Sequence, residues 1–240
     1  MEFTSYASGS RANAYEVYDG KTRLLLEAGL PIKELRRRPK FSTSGADAVL
    51  LTHEHQDHSR GIREIMKAGV DCYTSAGTAG ALDLPAYRTK IIESGVQFRI
   101  GSWQIMPFDT IHDAMEPLGF LLYSEALKEK MLFATDTAYI KYQFSGLTHI
   151  AIEANYCRDL LEGSDMEIRG LTRLIQTHMS LQRVKRMLQA TDLSKLQAVF
   201  LLHLSNSRSD EGLFRQEVQE QTGCPTYVCS DSETETVGFC

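Results

Sequence analysis

The feature that most constrains this chain is the stretch LTHEHQDHS, residues 51–59, in which three of seven histidines and one aspartate fall within six consecutive positions. It overlaps the end of the apolar run ADAVLLT, which is typical of a strand buried on both faces. Residues two apart on an extended segment point the same way, so His53 and His55 are expected to bind one ion together. Asp57 and His58 come as the chain turns into the next helix and are expected to face a second ion. The spacing therefore predicts metal ligands, because imidazole and carboxylate groups suit Zn²⁺, Mn²⁺ and Fe²⁺.

Three further residues of ligand type follow apolar segments elsewhere in the chain. His112 comes after WQIMPFDTI, Asp136 after MLFAT and His203 after AVFLL. Each position is a predicted strand end, where a sheet opens into loops. One such residue alone would more often be a structural polar group, but together with the cluster at 53–58 they complete two metal sites. We therefore expect several strand ends to meet at one place.

The rest of the chain reads as alternating strands and helices. The Asp19-Gly20 pair between two β-runs is a strong hairpin signal. Helical spacing is found in the segments PIKELRRR, SRGIREIMKAG, SLQRVKRMLQA and DEGLFRQEVQEQ. Strands are predicted at 96–100, 103–110, 118–123, 130–135 and 147–153, and in LQAVFLLHLS and PTYVCS. With no repeat or linker, the pattern predicts one domain over residues 1–240, with sheets sandwiched between helices.

Composition narrows the class of protein. No apolar run approaches the length that spans a bilayer, and the segment MEFTSYASGS lacks the features of a signal peptide. An odd number of scattered cysteines favours free thiols in a reducing cytoplasm; they are Cys72, Cys157, Cys224, Cys229 and Cys240. The formal charge of −5 disfavours a broadly basic surface. The dense basic run KELRRRPK, residues 33–40, is either a solvated helix face or a contact to phosphates.

The ordered set H53-x-H-x-D-H58, then His112, Asp136 and His203, resembles the metallo-β-lactamase fold. The similarity is closer to its YycJ/WalJ-like branch and more distant to ribonuclease Z. The segments that carry it are SYASGSRANAY, IHDAMEPLGF, FATDTAYI and LLHLSNSRSD. The resemblance implies an α/β (α+β) fold, a four-layer αββα sandwich.

Ligand roles follow from the same resemblance. It implies that His53, His55 and His112 bind a first ion and that Asp136 bridges to a second. The ligands of the second ion would be Asp57, His58 and His203. Two divalent ions, Zn²⁺ or Mn²⁺ with Fe²⁺ also suitable, are thus expected. A water between two such ions has a pKa of about 7, so it would be a hydroxide nucleophile near neutral pH.

The segment IEANY resembles the H-E-A-T segment of ribonuclease Z, and THMS resembles its G-H-S-T. The resemblance implies catalytic roles for Glu153 and His178 beside Asp57. His178 would contact a phosphate or protonate the leaving oxygen, and Glu153 would orient its ring. The alternative is that His178 only caps or packs the following helix. Ser8, Ser10, Asn13 and Arg208 are expected near the site mouth as substrate contacts.

The predicted function is a metal-dependent hydrolase of ester bonds. The resemblance implies a phosphodiesterase similar to a 5′-exonuclease, with DNA favoured over RNA as the substrate. Only 23 residues separate His112 from Asp136, too few for the tRNA-gripping arm of ribonuclease Z. A thioesterase or lactonase of the glyoxalase II type shares the full ligand set and is the enzymatic alternative. The non-enzymatic alternative is a metal-binding scaffold. Metal identity, DNA versus RNA as the substrate, cleavage polarity and oligomeric state stay open.

Overall fold

A computed structural model of the chain describes residues 1–39, 41–161, 167–230 and 235–238. Lys40 of the basic run and Cys240 of the predicted thiols lie outside the described residues. The described strands form two seven-stranded sheets that pack face to face.

The first sheet has the order β14-β1-β2-β3-β4-β5-β6. Strands β1, β2 and β14 pair antiparallel, whereas β3, β4, β5 and β6 run parallel. Its strands are β1 (Glu2–Ala7), β2 (Ala14–Tyr18), β3 (Arg23–Leu26), β4 (Ala48–Leu50), β5 (Asp71–Thr74), β6 (Thr89–Ile91) and β14 (Glu235–Gly238). The predicted hairpin is confirmed as β2 and β3, which pair antiparallel around Gly20 at φ +85°.

The second sheet has the order β13-β12-β11-β10-β9-β8-β7. Strands β10 to β13 run parallel, and β7, β8 and β9 add an antiparallel meander at one edge. Its strands are β7 (Phe98–Ile100), β8 (Trp103–Asp109), β9 (Leu118–Ser124), β10 (Glu129–Ala134), β11 (His149–Glu153), β12 (Ala198–Leu202) and β13 (Thr226–Val228). All seven strand predictions in this half of the chain are confirmed.

Helices cover the outer faces. They are α1 (Ile32–Leu35), α2 (Gln56–Ser59), α3 (Ile62–Lys67), α4 (Ala76–Ala81), α5 (Ile168–Thr177), α6 (Leu181–Gln189) and α7 (Glu211–Thr222). Short 3₁₀ turns lie at Thr43–Gly45, Ala86–Arg88 and Asp159–Leu161. Each of the four helical predictions corresponds to one of these helices.

Three apolar layers hold this arrangement together. The central layer joins the two sheets through large side chains such as Tyr15, Trp103 and Phe133. A second layer lies between the second sheet and α6 and α7, and a third lies between the first sheet and α1 and α3. In β4, Ala48 and Leu50 face the central layer while Val49 faces the helices. This explains the continuous apolar run before the histidine cluster, and it confirms the αββα sandwich.

The sequence left residues 71–91 and helix α5 without a predicted element. Helix α4 has the sequence AGTAGA, whose small side chains give no apolar period, and α5 begins with Ile168 at 84% exposure. Helix α4 therefore depends on tertiary packing. Helix α5 does have an apolar period, with Ile168, Leu171 and Ile175 at helical spacing, and it buries only Thr177. Within the described ranges, no helix combines the length and the apolar character needed to cross a membrane.

Candidate metal centre and active site

The candidate site lies where the carboxyl ends of strands from both sheets meet. The motif at 53–58 follows β4 of the first sheet, whereas Asp136 and His203 follow β10 and β12 of the second sheet. Glu153 is the last residue of β11, between those two strands. Parallel strands open their carboxyl ends at the same edge, which is where α/β sheets bind ligands. Two such edges face each other here.

The first ligand group brings together His53, His55, His112 and Asp136, with one donor atom from each within 4.8 Å of the others. His112 Nε2 is 3.1 Å from His55 Nδ1 and 3.5 Å from Asp136 Oδ2. The other ring nitrogen of His112, Nδ1, donates to the Thr177 carbonyl oxygen, 2.9 Å away, which orients the ring toward the group. These are the residues that the sequence assigned to one ion, together with the proposed bridge.

The second ligand group contains Asp57, His58, Asp136 and His203, again within 4.8 Å. His58 Nε2 is 3.3 Å from both Asp57 Oδ2 and Asp136 Oδ1. His203 Nε2 is 3.3 Å from Asp57 Oδ2. The two groups share one residue, Asp136, whose Oδ2 faces the first group and whose Oδ1 faces the second.

The backbone at the shared carboxylate is unusual. Asp136 has φ +45° and His203 has φ +53°, in the left-handed region that residues other than glycine rarely occupy. Strained backbone of this kind clusters at functional sites, where the surrounding structure holds it in place. Burial alone would raise the pKa of Asp136, but the imidazoles of His203 and His58 hold it well below its usual value. The carboxylate is therefore ionised and available to cations.

The donor atoms suit divalent metal ions. His53 is 1% exposed, and its Nε2 atom has no hydrogen-bond partner among the described residues although it points toward Asp136 Oδ2, 3.9 Å away. A buried polar atom without a partner is costly unless something else binds it. Its Nδ1 atom is 2.8 Å from Thr52 Oγ1, so the ring is already fixed with the free nitrogen inward. The residues present thus fit a pair of metal ions.

A third group places His178 and Glu153 next to Asp136 and His203. His178 Nδ1 is 2.6 Å from Glu153 Oε1, and the two rings of His178 and His203 stack at 5.5 Å. The other oxygen of Glu153 accepts hydrogen bonds from the backbone N–H groups of Thr137 and Met179, at 3.0 and 3.1 Å. Burial alone would lower the pKa of His178, but the Glu153 carboxylate raises it above the usual value.

Sequence reasoning missed two side chains that support the ligands. The buried Glu27 follows β3, and its Oε1 lies 3.6 Å from His58 Nδ1, on the side of the ring away from the metal group. The amide of Asn155 is 3.1 Å from His203 Nδ1 and also donates to the His203 carbonyl oxygen at 2.9 Å. Such partners fix ring orientation at metal sites. The signal for Glu27 was an acid that ends an apolar strand in the segment LLLEAG.

The four expected substrate contacts fall into two pairs. Ser8 and Asn13 are buried and contact the ligands, and their role as substrate contacts stays a prediction. The Ser8 hydroxyl accepts from the His203 backbone N–H at 2.9 Å, and the Asn13 amide lies 3.1 Å from His58 Nε2. Ser10 is exposed and Arg208 is half-buried, so these two stay as predicted contacts.

The basic run lies on and after α1. Lys33, Arg36 and Arg37 are exposed and Arg38 is partly exposed. Arg36 donates to Thr43 Oγ1 at 3.3 Å. Both earlier interpretations of this run, a solvated face and a phosphate contact, remain predictions.

Two facing mixed sheets between helices, with a histidine and aspartate cluster at one edge, define the metallo-β-lactamase fold. The sequence pattern of the Beta-lactamase superfamily domain matches residues 22–204, more than half of the chain. The chain therefore belongs to this superfamily.

Relatives and solved structures agree with this assignment. The chain is 27% identical over 242 residues to the protein named exodeoxyribonuclease WalJ of Streptococcus pneumoniae, covering 92% of this chain and 88% of the relative. The YhfI protein of Bacillus subtilis, a metallo-β-lactamase fold protein, superposes with a TM-score of 0.75 at 17% identity and covers 98% and 99% of the two chains. The short form of human tRNase Z superposes with a TM-score of 0.67 at 12% identity over the full length of both. The predicted resemblance to the WalJ branch is thus confirmed.

Proposed function

We propose that the protein is a dinuclear metal-dependent phosphodiesterase that removes nucleotides from the ends of DNA. The observation that carries the proposal is a single buried carboxylate, Asp136, shared by two ligand groups and flanked by the His178–Glu153 pair. The relative from Streptococcus pneumoniae, named as an exodeoxyribonuclease, supports DNA as the substrate. Because the resemblance to the YycJ/WalJ-like branch implies a 5′-exonuclease, cleavage from a 5′ end is the form of activity to test first.

The residues divide into ligands and groups that act on the substrate. His53, His55 and His112 would hold one ion, and Asp136 would bridge to a second ion that is also held by Asp57, His58 and His203. Zn²⁺ and Mn²⁺ suit these donors, and Fe²⁺ is also compatible. Bound there, two ions would neutralise phosphate oxygens and lower the pKa of water to about 7.

His178 acts on the leaving group in this proposal. Its Nδ1 atom is engaged by Glu153, so its Nε2 atom is the one that can hold a proton toward the substrate. Glu153 is in turn fixed by two backbone N–H groups, which keeps the imidazole from rotating. A departing alkoxide needs a proton, and a histidine held by a carboxylate supplies one near neutral pH.

The described cysteines support a reducing compartment. Cys72, Cys157, Cys224 and Cys229 are all free thiols. Together with the relationship to bacterial exodeoxyribonucleases, this supports a cytoplasmic protein that meets DNA inside the cell.

Metal content tests the proposal directly. The wild-type protein is expected to carry two transition-metal ions per chain, and Asp136→Asn, which keeps the size of the side chain, is expected to lose more than one. The measurement is elemental analysis of both proteins after dialysis against a weak chelator. It is combined with digestion of end-labelled single- and double-stranded DNA and RNA in the presence of Zn²⁺, Mn²⁺ or Fe²⁺.

Ser10→Ala is a matched control, because Ser10 is exposed and belongs to neither ligand group. It should keep its metal. Full occupancy in Asp136→Asn would show that this carboxylate does not bridge. Two tightly bound ions without cleavage of any phosphodiester would favour the scaffold alternative.

A further inference from the structure

A groove beside the site has no role in the chemistry proposed above. Its volume is about 390 Å³, which is within the range of ligand-binding pockets. It lies between the loop that follows Asp136 and the start and outer face of α6. The lining residues used below are Tyr139, Lys141, Tyr142, Met179, Arg183 and Arg186.

The groove is connected to the site through the backbone of both walls. Tyr139 is three residues after Asp136, and its carbonyl oxygen accepts from Thr137 Oγ1 at 2.9 Å. Met179 directly follows His178, and its N–H donates to Glu153. Arg183 joins the two walls, because its Nη1 atom donates to the carbonyl oxygens of Ala138 and Ile175, at 3.0 and 2.8 Å. The groove and the site thus share the loop after Asp136 and the segment that begins at His178.

The charge of the groove is opposite to that of the whole protein. The chain has a formal charge of −5, yet no side chain described as lining the groove is acidic. Lys141 and Arg186 are exposed, and within the described ranges neither side chain forms a hydrogen bond or ion pair. Cations left without acidic partners in an acidic protein attract an anionic ligand.

Two exposed aromatic rings lie in the same groove. Tyr139 is 48% exposed and Tyr142 is 39% exposed. Tyr142 is held in place, since its hydroxyl donates to Asp109 Oδ2 at 3.1 Å and its ring packs against Phe108 at 5.7 Å. The ring of Tyr139 has no aromatic partner among the described residues. Basic side chains interleaved with open rings are the composition of surfaces that bind single-stranded nucleic acid, where bases stack and phosphates meet cations.

We propose that this groove binds the single-stranded segment of a DNA substrate next to the nucleotide being cleaved, with a base on Tyr139 and phosphates on Lys141 and Arg186. The inference rests on the proposed function and adds the form of the substrate to it. The interior of a DNA duplex does not fit this groove, because each base there is stacked on both faces and leaves none free for a tyrosine ring.

The test is fluorescence anisotropy of the metal-loaded protein with a labelled 12-nucleotide oligothymidylate that carries phosphorothioate linkages to slow cleavage. Tyr139→Ala should weaken binding roughly 5-fold or more, because stacking of one base contributes on the order of 1–3 kcal/mol. Tyr139→Phe should bind like the wild type, since it keeps the ring. An abasic probe of the same length should bind Tyr139→Ala and the wild type equally.

The charges are tested with Lys141→Glu combined with Arg186→Glu. This variant should bind both probes more weakly. The slope of log K against log salt concentration should become shallower by about 1.4, at about 0.7 for each contact to a single strand. Lys67→Glu with Lys195→Glu is the matched control, because both lysines are exposed, lie outside the groove and change the net charge equally. Tyr87→Ala, which removes a ring at 72% exposure elsewhere, is the control for the aromatic change.

The inference would be overturned if the groove variants bound the probes as tightly as their controls. It would also be overturned if the variants lost affinity only for an oligouridylate probe measured in parallel. Hydrolysis of bis(p-nitrophenyl) phosphate by the wild-type protein separates the two levels of the proposal. If the wild type hydrolyses this diester and the groove variants match their controls, only the groove assignment fails. If the wild type does not hydrolyse any phosphodiester, the proposed function itself fails.

Discussion

At the scale of single residues, two of the buried carboxylates, Asp136 and Glu153, lie together in the candidate site at 3% and 0% exposure. Buried charges are tolerated when they are paired and hydrogen-bonded. Glu153 meets this condition with protein groups alone, through His178 and two backbone N–H groups. Asp136 is surrounded by imidazoles on both of its oxygens, and most of these belong to the proposed ligands. In the proposed function, Glu153 thus positions a proton donor, and Asp136 holds cations.

His178→Ala separates the phosphodiesterase from its alternatives. As a proton donor outside the ligand groups, His178 should leave both ions bound when it is removed. Its loss should lower kcat by roughly 10² to 10⁴ for a nucleotide linkage, whose alkoxide is a poor leaving group. For a p-nitrophenyl ester, kcat should fall much less, because the p-nitrophenolate leaving group needs no proton. Glu153→Gln should show the same pattern in weaker form, and kcat on both substrates is the measurement.

Other outcomes of that experiment have distinct meanings. If His178→Ala loses an ion, His178 is a ligand and the role given to His203 is wrong. Both side chains lie in the third group beside Asp136, so the check is direct. If both substrates slow equally with metal retained, His178 positions the substrate without donating a proton. If neither slows, the thioesterase or lactonase alternative is favoured.

At the scale of elements, the site depends on backbone contacts between three loops. The N–H of Asn13 donates to the Asp57 carbonyl oxygen at 2.7 Å, and the N–H of Gly29 donates to the Asn13 carbonyl oxygen at 2.8 Å. The N–H of Ala28 donates to the His58 carbonyl oxygen at 2.7 Å. The segment after β3 therefore holds the start of α2, which carries two ligands of the second group. A helix of four residues has little stability of its own, so these contacts set its position.

Gly29→Ala should disrupt this arrangement. A Cβ atom at position 29 would lie 1.8 Å from the Asp57 carbonyl oxygen and 2.6 Å from the Asn13 backbone nitrogen. The backbone has to move, which we expect to cost about 1–3 kcal/mol of unfolding free energy and to weaken the second ion more than the first. Denaturant unfolding and metal content measure the two effects.

Gly80→Ala is the matched control, because a Cβ there meets nothing within 4 Å and Gly80 lies in helix α4. It should be neutral or stabilising by up to about 1 kcal/mol. Equal metal occupancy in Gly29→Ala and the wild type would mean that the loop contact does not position α2.

At the scale of the whole molecule, two sheets share a buried apolar layer, and burial of a titratable group there disfavours its charged form. His149 opens β11 and is fully buried, with Nδ1 2.9 Å from Thr148 Oγ1. Burial lowers the pKa of His149 to about 3. This histidine lies outside the candidate metal groups.

The low pKa of His149 predicts acid sensitivity. Below the unfolded value of about 6.5, the unfolded chain binds a proton that the folded protein does not bind. The contribution of His149 to the free energy of unfolding is therefore constant above about pH 6.5. It falls by about 1.4 kcal/mol per pH unit as the pH drops toward 3. His149→Gln, which does not titrate, should show a shallower decline.

The measurement is the free energy of unfolding of both proteins from pH 7 to 4.5 in the presence of a chelator. The other six of the seven histidines are common to both proteins, so their contribution cancels in the difference. Parallel pH curves for the two proteins would contradict the low pKa.

The sequence by itself determined the features that depend on local spacing. The alternation around the Asp19-Gly20 turn, the apolar run of β4 and the helical period of α6 each specify an element from a short window. The H-x-H-x-D-H motif is local in the same way, because a strand end followed by a helix start fixes where its four side chains point. The order of the remaining ligands identified the fold, although their positions in space were not yet known.

Tertiary structure alone decided which distant residues meet. Ser8 supports His203 from 195 positions away, and Glu27 faces His58 only because β3 and β4 are neighbours. Ser8 and Asn13 are buried supports for this reason, a role that their turn-like sequence did not indicate. The groove at Tyr139 likewise exists only where a loop after β10 meets α6. Periodicity describes the face that a residue presents, whereas the partner on that face is chosen by how the sheets and helices pack.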